Sequence, residues 1–456
     1  MRQESERLGT EPIPQLLFKL AVPAMTGMIV MALHNVIDAI YIDRGVGMIG
    51  VAAVSIAFPI HMLVMAVAAT FGIGGGALIS IALGSEELDR ANRVFGNIIS
   101  MVLLFSFIAA LLGLTLLNPL LQLFGSSDTI LPYAREYMGI ILYSTVFFAF
   151  AFGVNNVIRA EGNARIAMLT MIVSAVLNII FTPIFIFGFE MGIRGAAIGT
   201  VLAQGVTAVY MVYYFAAGKS NLSFKAAYLI PQWLLVKQIM AIGASAFVRQ
   251  ASSSIMLIVA NNQLIFFGGD QAVAVLGIIF RVFMFTMMPI LGIVQGLLPI
   301  VGFNYGARQP ERVSESIVLG LKVSTVIAGV AFILVMTLPR QMMMIFTSDA
   351  ALIEMGQSAM RITFALSFTI GAQMVISGIF QALGKAKAAF ILSLSRQVFF
   401  LIPLLILFPL LFKLSGIWLA FPVSDLLGFI WSLWFVKRYE GIFFKARLPE
   451  LASSKL

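Results

Sequence analysis

Long apolar segments recur along the chain and are separated by short polar stretches. Each apolar segment has at least the roughly 20 residues that an α-helix needs to cross a bilayer. A helix satisfies its own backbone hydrogen bonds in hydrocarbon, which an isolated extended segment does not. The pattern therefore predicts twelve membrane spans, at residues 16–43, 50–80, 94–117, 131–158, 164–187, 194–217, 235–265, 272–302, 316–337, 356–382, 388–410 and 416–437.

The two halves of the chain repeat each other. Ala-Glu-Gly-Asn-Ala-Arg at 160–165 aligns with Ala-Leu-Gly-Lys-Ala-Lys at 382–387, and Arg90 aligns with Arg312 at the same offset of 222 residues. A constant offset over several motifs indicates an internal repeat. Each half holds six predicted spans, so we expect both halves to enter the membrane from the same side.

We therefore predict an all-α polytopic membrane protein with twelve transmembrane helices in two six-helix lobes. Repeats inserted in the same orientation are related by a pseudo-two-fold axis along the membrane normal. The predicted N-lobe is 1–217, the predicted C-lobe is 235–456, and 218–234 is expected to be a cytoplasmic linker. The short basic tail after residue 439 is expected to lie at the cytoplasmic surface.

Composition excludes a soluble protein. Hydrophobic residues make up 61% of the chain and charged residues 11%, whereas soluble domains are about one quarter charged. The chain contains no cysteine, which excludes disulfides and thiolate chemistry. The formal net charge is +9. The distribution of the basic residues along the chain indicates whether this charge reflects membrane topology or a nucleic-acid partner.

Basic residues concentrate in alternate loops. Twenty Lys and Arg residues fall on the side of the two termini, and six fall on the opposite side. Loops rich in Lys and Arg stay in the cytoplasm. We therefore expect a multi-pass protein of the inner (plasma) membrane with both termini in the cytoplasm, and no nucleic-acid partner.

Asp38 is the first candidate for chemistry, because it lies within the first predicted span, five residues before Asp43. At a rise of about 1.5 Å per residue, it is roughly 8 Å below the outer end of the helix. A charge at the bilayer centre costs about 2.5 to 3.5 kcal/mol on insertion scales, so acids in spans usually handle ions or protons. The alternative is that Asp38 caps the helix in water.

Four further polar residues are predicted at a similar depth in the first half: Tyr137, Asn178, Thr182 and Thr200. With Asp38 they predict a polar pocket in the outer part of the N-lobe. Hydrogen bonds within such a pocket offset the cost of burying a carboxyl group. The threonines have an alternative role, because their hydroxyls often bond to the backbone of their own helix.

His34 lies four residues before Asp38, on the same helix face and one turn deeper. A histidine there is a candidate proton relay, since its charge changes near neutral pH. The alternative is a packing residue between helices.

The second half has no carboxylate at the position of Asp38, where the repeat places Ala260. Its spans carry other charged residues: Arg249, Arg281, Arg396 and Asp425. We expect a polar cluster in the C-lobe in which Asp425 pairs with one arginine. We favour a structural or gating role for this cluster over substrate contact.

The residue types do not predict an enzyme. The chain has no cysteine, only two histidines and no His-Glu-x-x-His motif, so it lacks the usual nucleophile and metal constellations. We expect no cofactor and no metal site, apart from a coupling ion in transport.

Several motifs, in the same order, resemble the multidrug and toxic compound extrusion (MATE) transporter family over residues 12–440. They are Asn-Val-Ile-Asp at 35–38 with Gly-Val-Gly at 45–47, Ile-Arg-Ala-Glu-Gly-Asn at 158–163, Gly-Ile-Val-Gln-Gly at 292–296 and Gly-Phe-Asn-Tyr-Gly-Ala at 302–307. The chain is most similar to the MepA-like group within the DinF-type branch.

The resemblance implies a secondary active exporter that exchanges bulky cationic or amphipathic compounds for H⁺ or Na⁺ by alternating access. The family's cation site carries over onto Asp38, Asn178 and Thr200, with Tyr137 and Asn155 as associated cavity residues. Two lobes already make a complete pathway, so we expect a functional monomer that binds small molecules.

One departure from the family concerns Thr182, where relatives often have a second aspartate. The chain therefore has one acid where those relatives have two, which weakens a Na⁺ site at Asp38, Asn178 and Thr200. We therefore expect H⁺ as the coupling ion, with Na⁺ second. A lipid or lipid-linked oligosaccharide flippase of the same superfamily is the alternative function.

Overall fold

The computed structural model describes residues 2–439, and nearly all of them are helical. The predicted cytoplasmic tail after residue 439 lies outside the described residues. The first half contains α1 (Arg2–Thr10), α2 (Ile13–Val46), α3 (Met48–Gly84), α4 (Leu88–Thr115), α5 (Leu117–Leu123), α6 (Leu131–Ala160), α7 (Ala164–Pro183), a π-helix (Ile184–Gly188), α8 (Gly192–Ala216) and a 3₁₀ turn (Ala226–Leu229).

The second half has longer and more broken helices. They are α9 (Trp233–Gly306), α10 (Pro310–Thr337), α11 (Pro339–Met344), α12 (Ala350–Thr363), a 3₁₀ turn (Ser367–Thr369), α13 (Ile370–Ala382), α14 (Ala386–Leu394), a π-helix (Ser395–Leu401) and α15 (Ile402–Arg438). Helix α9 breaks at Gly269, whose φ of 65° and ψ of −168° suit a residue without a side chain. Helix α15 breaks at Lys413, which has a φ of 51°.

The prediction of twelve spans is confirmed. Within residues 2–439, nine helical segments are long and apolar enough to cross a bilayer, and α12 with the following segment to Ala382 forms a tenth span bent by 47°. Two of the nine are double-length segments, Trp233–Gly306 and Ala386–Arg438, which contain the breaks at Gly269 and Lys413. Dividing these two segments at their breaks gives twelve spans.

The chain forms two compact units. Unit 1 contains α1 and the chain from Thr26 to Gly243. One of its apolar clusters lies between α3, α5, α6 and α8, with buried residues that include Ala53, Leu121 and Leu142. Small residues bring α3 and α6 together, since a Cβ on Gly72 would lie 2.9 Å from the Cα of Gly153.

Unit 2 contains Glu11–Met25 and the described chain from Ala244 to Tyr439. Its main apolar cluster joins α9, α12 and α15 through buried large side chains such as Leu264, Phe364 and Trp418. Ala260, the residue that aligns with Asp38, is fully buried within this cluster.

Two segments pack outside the half of the sequence to which they belong. The start of α2 packs in unit 2, where a Cβ on Gly296 would lie 2.9 Å from the backbone nitrogen of Ala21. The segment 218–243 packs in unit 1, where its backbone NH groups donate to side chains of α4, for example from Ser223 to Asn92 Oδ1 at 2.8 Å. The packing units therefore differ at these two segments from the lobes predicted as 1–217 and 235–456.

Candidate functional site

A chain of hydrogen bonds connects α7 and α8 in unit 1. Asn178 Nδ2 donates to Thr200 Oγ1 at 2.9 Å, and Thr182 Oγ1 donates to Asn178 Oδ1 at 3.0 Å. Thr200 Oγ1 in turn donates to the backbone oxygen of Ala196 at 3.0 Å. Asn178 is 3% exposed and Thr182 is fully buried, so the chain lies between packed helices.

Asp38 of α2 lies at the open end of this chain. The Thr182 hydroxyl is within hydrogen-bonding reach of the Asp38 carboxyl, and His34 is close enough for its charge to act on that carboxyl. Asp38 Oδ1 and both ring nitrogens of His34 are buried and have no hydrogen-bond partner among the described residues. The predicted association of Asp38 with His34 and Thr182 is therefore present in the structure.

Tyr137 of α6 also belongs to this site. The charge of Asp38 acts on its phenol group. The Tyr137 ring packs against a small apolar cluster of Ile42, Ile186 and Ala196, which comes from α2, the first π-helix and α8. This cluster forms an apolar wall beside the Tyr137 ring.

The backbone around Thr182 explains how α7 and α8 approach so closely. A Cβ on Gly199 would lie 2.8 Å from the backbone nitrogen of Thr182 and 2.9 Å from its Oγ1. Only a residue without a side chain fits there without a shift. Helix α7 ends at Pro183 and continues as a π-helix over Ile184–Gly188, and such wide turns are frequent at functional sites.

The structure does not bring Asn155 into this site. Asn155 Nδ2 donates to the backbone oxygen of Ala167 and to Thr170 Oγ1, each at 2.8 Å. Thr170 lies eight residues before Asn178 on α7, which is about 12 Å along the helix axis. Asn155 thus links α6 to the opposite part of α7.

The second unit contains an ion pair, as predicted. Arg396 Nε donates to Asp425 Oδ1 at 2.6 Å, and among the described residues Arg396 alone forms an ion pair with Asp425. The Asp425 side chain is 2% exposed and that of Arg396 is 20% exposed. The Arg396 guanidinium also lies 5.5 Å from the centre of the Phe283 ring.

The other two arginines of the predicted C-lobe cluster do not join this pair. The Arg281 guanidinium lies 5.9 Å from the centre of the Phe346 ring. Within residues 5–439, neither Arg249 nor Arg281 forms an ion pair with Asp425. The four residues therefore form one tight pair and two separate cations.

Sequence reasoning missed two features around the pair. Gln373 of α13 donates from Nε2 to the backbone oxygen of Asp425 at 2.9 Å and to Thr369 Oγ1 at 3.2 Å. Arg396 is the second residue of the π-helix Ser395–Leu401. The position of Gln373 in an apolar span could have indicated its hydrogen bonds. No residue pattern indicated the π-helix that contains Arg396.

Known families and sequences resemble this chain over most of its length. The MatE family model matches residues 23–184 and 244–407. The multidrug export protein MepA of Staphylococcus saprophyticus subsp. saprophyticus is 27% identical over 417 residues, which cover 91% of this chain and 88% of that protein.

Solved structures also resemble this chain over most of its length. A structure of the MATE multidrug transporter DinF-BH in complex with rhodamine 6G is 48% identical, with a TM-score of 0.90 over 97% of this chain and 99% of that chain. A multidrug resistance MATE family transporter of the MOP superfamily, in an outward-facing conformation, is 26% identical, with a TM-score of 0.90 over 96% of this chain and 98% of that chain.

Proposed function

Since this chain belongs to the MatE family of multidrug transporters, we propose that it exports bulky cationic or amphipathic compounds in exchange for protons, and that Asp38 is the coupling residue. The observation that carries this proposal is the direction of the hydrogen-bond chain that ends at Thr182, next to Asp38. Each step in that chain follows from which atoms are able to donate.

The direction is set at the far end of the chain. The backbone oxygen of Ala196 can only accept a hydrogen bond, so the Thr200 hydroxyl donates its single proton to it. Thr200 then accepts from the Asn178 amide nitrogen, which turns the Asn178 oxygen toward Thr182. The Thr182 hydroxyl donates its proton to that oxygen. Its own Oγ1 can therefore only accept a further hydrogen bond.

A protonated Asp38 matches this arrangement, because its O–H group donates to the free lone pair of Thr182. A charged Asp38 requires the Thr182 hydroxyl to turn away from Asn178 and donate to the carboxylate instead. Gain or loss of a proton therefore rearranges the contact between α2 and α7. A coupling ion shifts a conformational equilibrium only by such a difference between two states.

Sodium is the second candidate for the coupling ion. A hard cation prefers several oxygen ligands, and within the described residues Asp38 is the only carboxylate beside the hydrogen-bonded chain of Asn178, Thr182 and Thr200. The amide and hydroxyl oxygens of Asn178 and Thr182 already bond to each other. We therefore place H⁺ first. His34, with both ring nitrogens unpartnered, is proposed as the relay between Asp38 and water.

The proposed setting is an inner (plasma) membrane with both termini in the cytoplasm, supported by the twenty basic residues on that side against six on the other. We propose that the monomer transports without a cofactor. The rival function, a lipid flippase with a basic cavity, is weakened because Asp425 holds one of the three arginines of the spans in an ion pair.

The experiment is efflux of rhodamine 6G from proteoliposomes that contain wild type or Asp38→Asn, driven separately by a pH gradient and by a Na⁺ gradient. We use this dye because it is bound in the related DinF-BH structure. A pH gradient should drive the wild type, and Asp38→Asn should reduce efflux to the rate of protein-free liposomes, since the amide cannot gain or lose the proton.

Asp43→Asn is the matched control, because Asp43 is an exposed acid on the same helix. It should keep the wild-type rate. If Asp38→Asn also transports at that rate, Asp38 is not the coupling residue. If only a Na⁺ gradient drives the wild type, the site stands and the choice of H⁺ is wrong.

A further inference from the structure

The segment between the two sequence halves has an inner side that is tied to unit 1. The backbone nitrogen of Leu222 donates to Glu161 Oε1 at 3.1 Å, and that of Gln232 donates to Asn97 Oδ1 at 2.7 Å. Ser100 Oγ donates to the backbone oxygen of Leu229 at 2.5 Å. These bonds hold the segment as a fixed surface on unit 1 rather than as a free tether.

The outer side of the same segment carries large apolar side chains. Phe224 is 54% exposed, Ile230 is 69% exposed and Trp233 is 66% exposed. Exposed apolar groups this large and this close in sequence mark a contact surface. The segment joins the end of α8 to the start of α9, and both helices are membrane spans, so this surface lies at the level where spans leave the bilayer.

Three exposed lysines flank these apolar side chains, and each lies near an aromatic ring. Lys219 Nζ is 4.9 Å from the centre of the Tyr213 ring, and Lys237 Nζ is 5.5 Å from the centre of the Trp233 ring. Lys225 Nζ is 5.7 Å from the centre of the Tyr228 ring. We call Lys219, Lys225 and Lys237, with Phe224, Ile230 and Trp233, the basic strip.

Little negative charge opposes the basic strip. The sequence contains no Asp or Glu between Glu190 and Asp270. Among the described residues, two carboxylates of unit 1 accept hydrogen bonds from the segment: Glu161 from Leu222, and Asp89 from the Tyr228 hydroxyl at 3.0 Å. Asp89 is also paired with Arg93. Lys225 is near enough to Asp89 for its charge to act on that carboxylate. Within residues 5–439, Lys219 and Lys237 form no ion pair, so their positive charge is left beside the apolar side chains.

We propose that the basic strip binds the headgroups of anionic phospholipids in the leaflet that contacts it. Aromatic and basic side chains at the ends of spans favour the membrane interface, and clusters of Lys beside spans attract anionic lipids. A zwitterionic headgroup is a poorer fit, since the strip offers no carboxylate for its amine. The proposal goes beyond drug export and does not depend on Asp38.

Trp233 makes the contact measurable, because brominated lipids quench the fluorescence of a tryptophan that they touch. The chain contains four tryptophans, so the signal of Trp233 is the difference between wild type and Trp233→Phe. Full-length protein is placed in phosphatidylcholine vesicles that contain the same fraction of brominated phosphatidylglycerol or of brominated phosphatidylcholine. We expect quenching of Trp233 to be about twofold stronger with the anionic lipid.

A variant with Lys219→Gln, Lys225→Gln and Lys237→Gln should lose that preference, and the corresponding triple arginine variant should keep it. Lys413→Gln, at an exposed lysine elsewhere in the chain, should also keep it. The arginine variant guards against a fold defect, because it keeps the charge with a side chain of similar length.

Equal quenching by the two brominated lipids would overturn the proposal, as would a preference that survives the triple glutamine variant. Inorganic phosphate is then added and compared with chloride at the same ionic strength. If phosphate removes the preference and chloride does not, phosphate competes with the lipid headgroup for the strip, which supports recognition of the phosphate group of the lipid.

Discussion

Two carboxyl groups within membrane spans, Asp38 in unit 1 and Asp425 in unit 2, have opposite surroundings. Asp425 is 2% exposed and has an arginine 2.6 Å away. Asp38 lies beside the Thr182 hydroxyl and the His34 imidazole, and within residues 5–439 no Lys or Arg forms an ion pair with it. Asp425 already has a cationic partner. Asp38 pairs with no Lys or Arg within residues 5–439, so it is the acid that is available to an ion from solution.

A carboxylate that already has a guanidinium partner gains little from a further cation, because its charge is compensated in place. A carboxyl group without a counter-ion must take up a proton or another cation to reduce the cost of its charge. We therefore propose that one acid of the repeat stabilises the fold and that the other exchanges its proton. Ala260, buried where the repeat would place a second Asp38, fits the same division.

The largest expected effect is on stability and concerns the ion pair of unit 2. Arg396→Gln or Asp425→Asn leaves one buried member of the pair without its partner, which costs about 3–5 kcal/mol in comparable buried pairs. The double variant should recover most of that loss, since no charge remains uncompensated. Thermal unfolding of the purified protein in detergent measures all three variants.

Asp38→Asn is the contrast, because it removes an acid that, within residues 5–439, pairs with no Lys or Arg. Its unfolding midpoint should not fall below that of the wild type. A double variant that loses as much stability as the two single variants together would mean that Arg396 and Asp425 act independently. A large fall in the unfolding midpoint of Asp38→Asn would contradict the proposed difference between the two acids.

Helical rise explains why much of the site could be predicted from sequence. Residues five or nine positions from the end of a span have a calculable depth, which grouped Asp38 with Asn178 and Thr182. Opposite charges within apolar spans pair for electrostatic reasons, which predicted a partner for Asp425. Neither argument needs the packing of the helices to be known.

Other features depend on packing and were beyond that reasoning. Asn155 entered through the family resemblance, and its hydrogen bonds run to Ala167 and Thr170 instead of the Asp38 site. The docking of residues 218–243 on unit 1 rests on single Asn and Glu side chains such as Asn97 and Glu161, whose partners are distant in sequence. No periodicity marks such contacts.

A glycine substitution probes the geometry of the unit 1 site. Gly199→Ala places a methyl group 2.8 Å from the backbone of Thr182, and overpacking of this kind costs about 1–3 kcal/mol. Because the displaced residue links Asp38 to Asn178, we expect efflux driven by a pH gradient to fall about tenfold, which corresponds to roughly 1.4 kcal/mol.

Gly205→Ala is its matched control on the same helix, since a Cβ there meets no atom within 4 Å. It should keep the wild-type efflux rate, and its stability should not fall, because alanine favours a helix over glycine by about 1 kcal/mol. Equal efflux in the two variants would show that the close contact of Gly199 with Thr182 has no part in coupling.

The smallest expected effect separates two polar contacts of α7 within unit 1. Asn155→Ala removes two hydrogen bonds between α6 and α7 and should lower the free energy of unfolding by about 1–2 kcal/mol. The Ala167 oxygen remains satisfied, because Thr170 Oγ1 also donates to it at 2.8 Å. Since these bonds lie about 12 Å from Asn178 along α7, the pH dependence of efflux should not shift.

The neighbouring Asn156→Ala is the control for losing an asparagine at this depth. Asn156 Nδ2 donates at 2.8 Å to the backbone oxygen of Phe152 in its own helix. Asn156→Ala therefore removes no hydrogen bond between two helices and should cost less stability than Asn155→Ala. A shifted pH profile in Asn155→Ala would place Asn155 in the coupling network. The polar network of unit 1 would then extend along α7 well beyond the Asp38 site, in contrast to the single compact pair of unit 2.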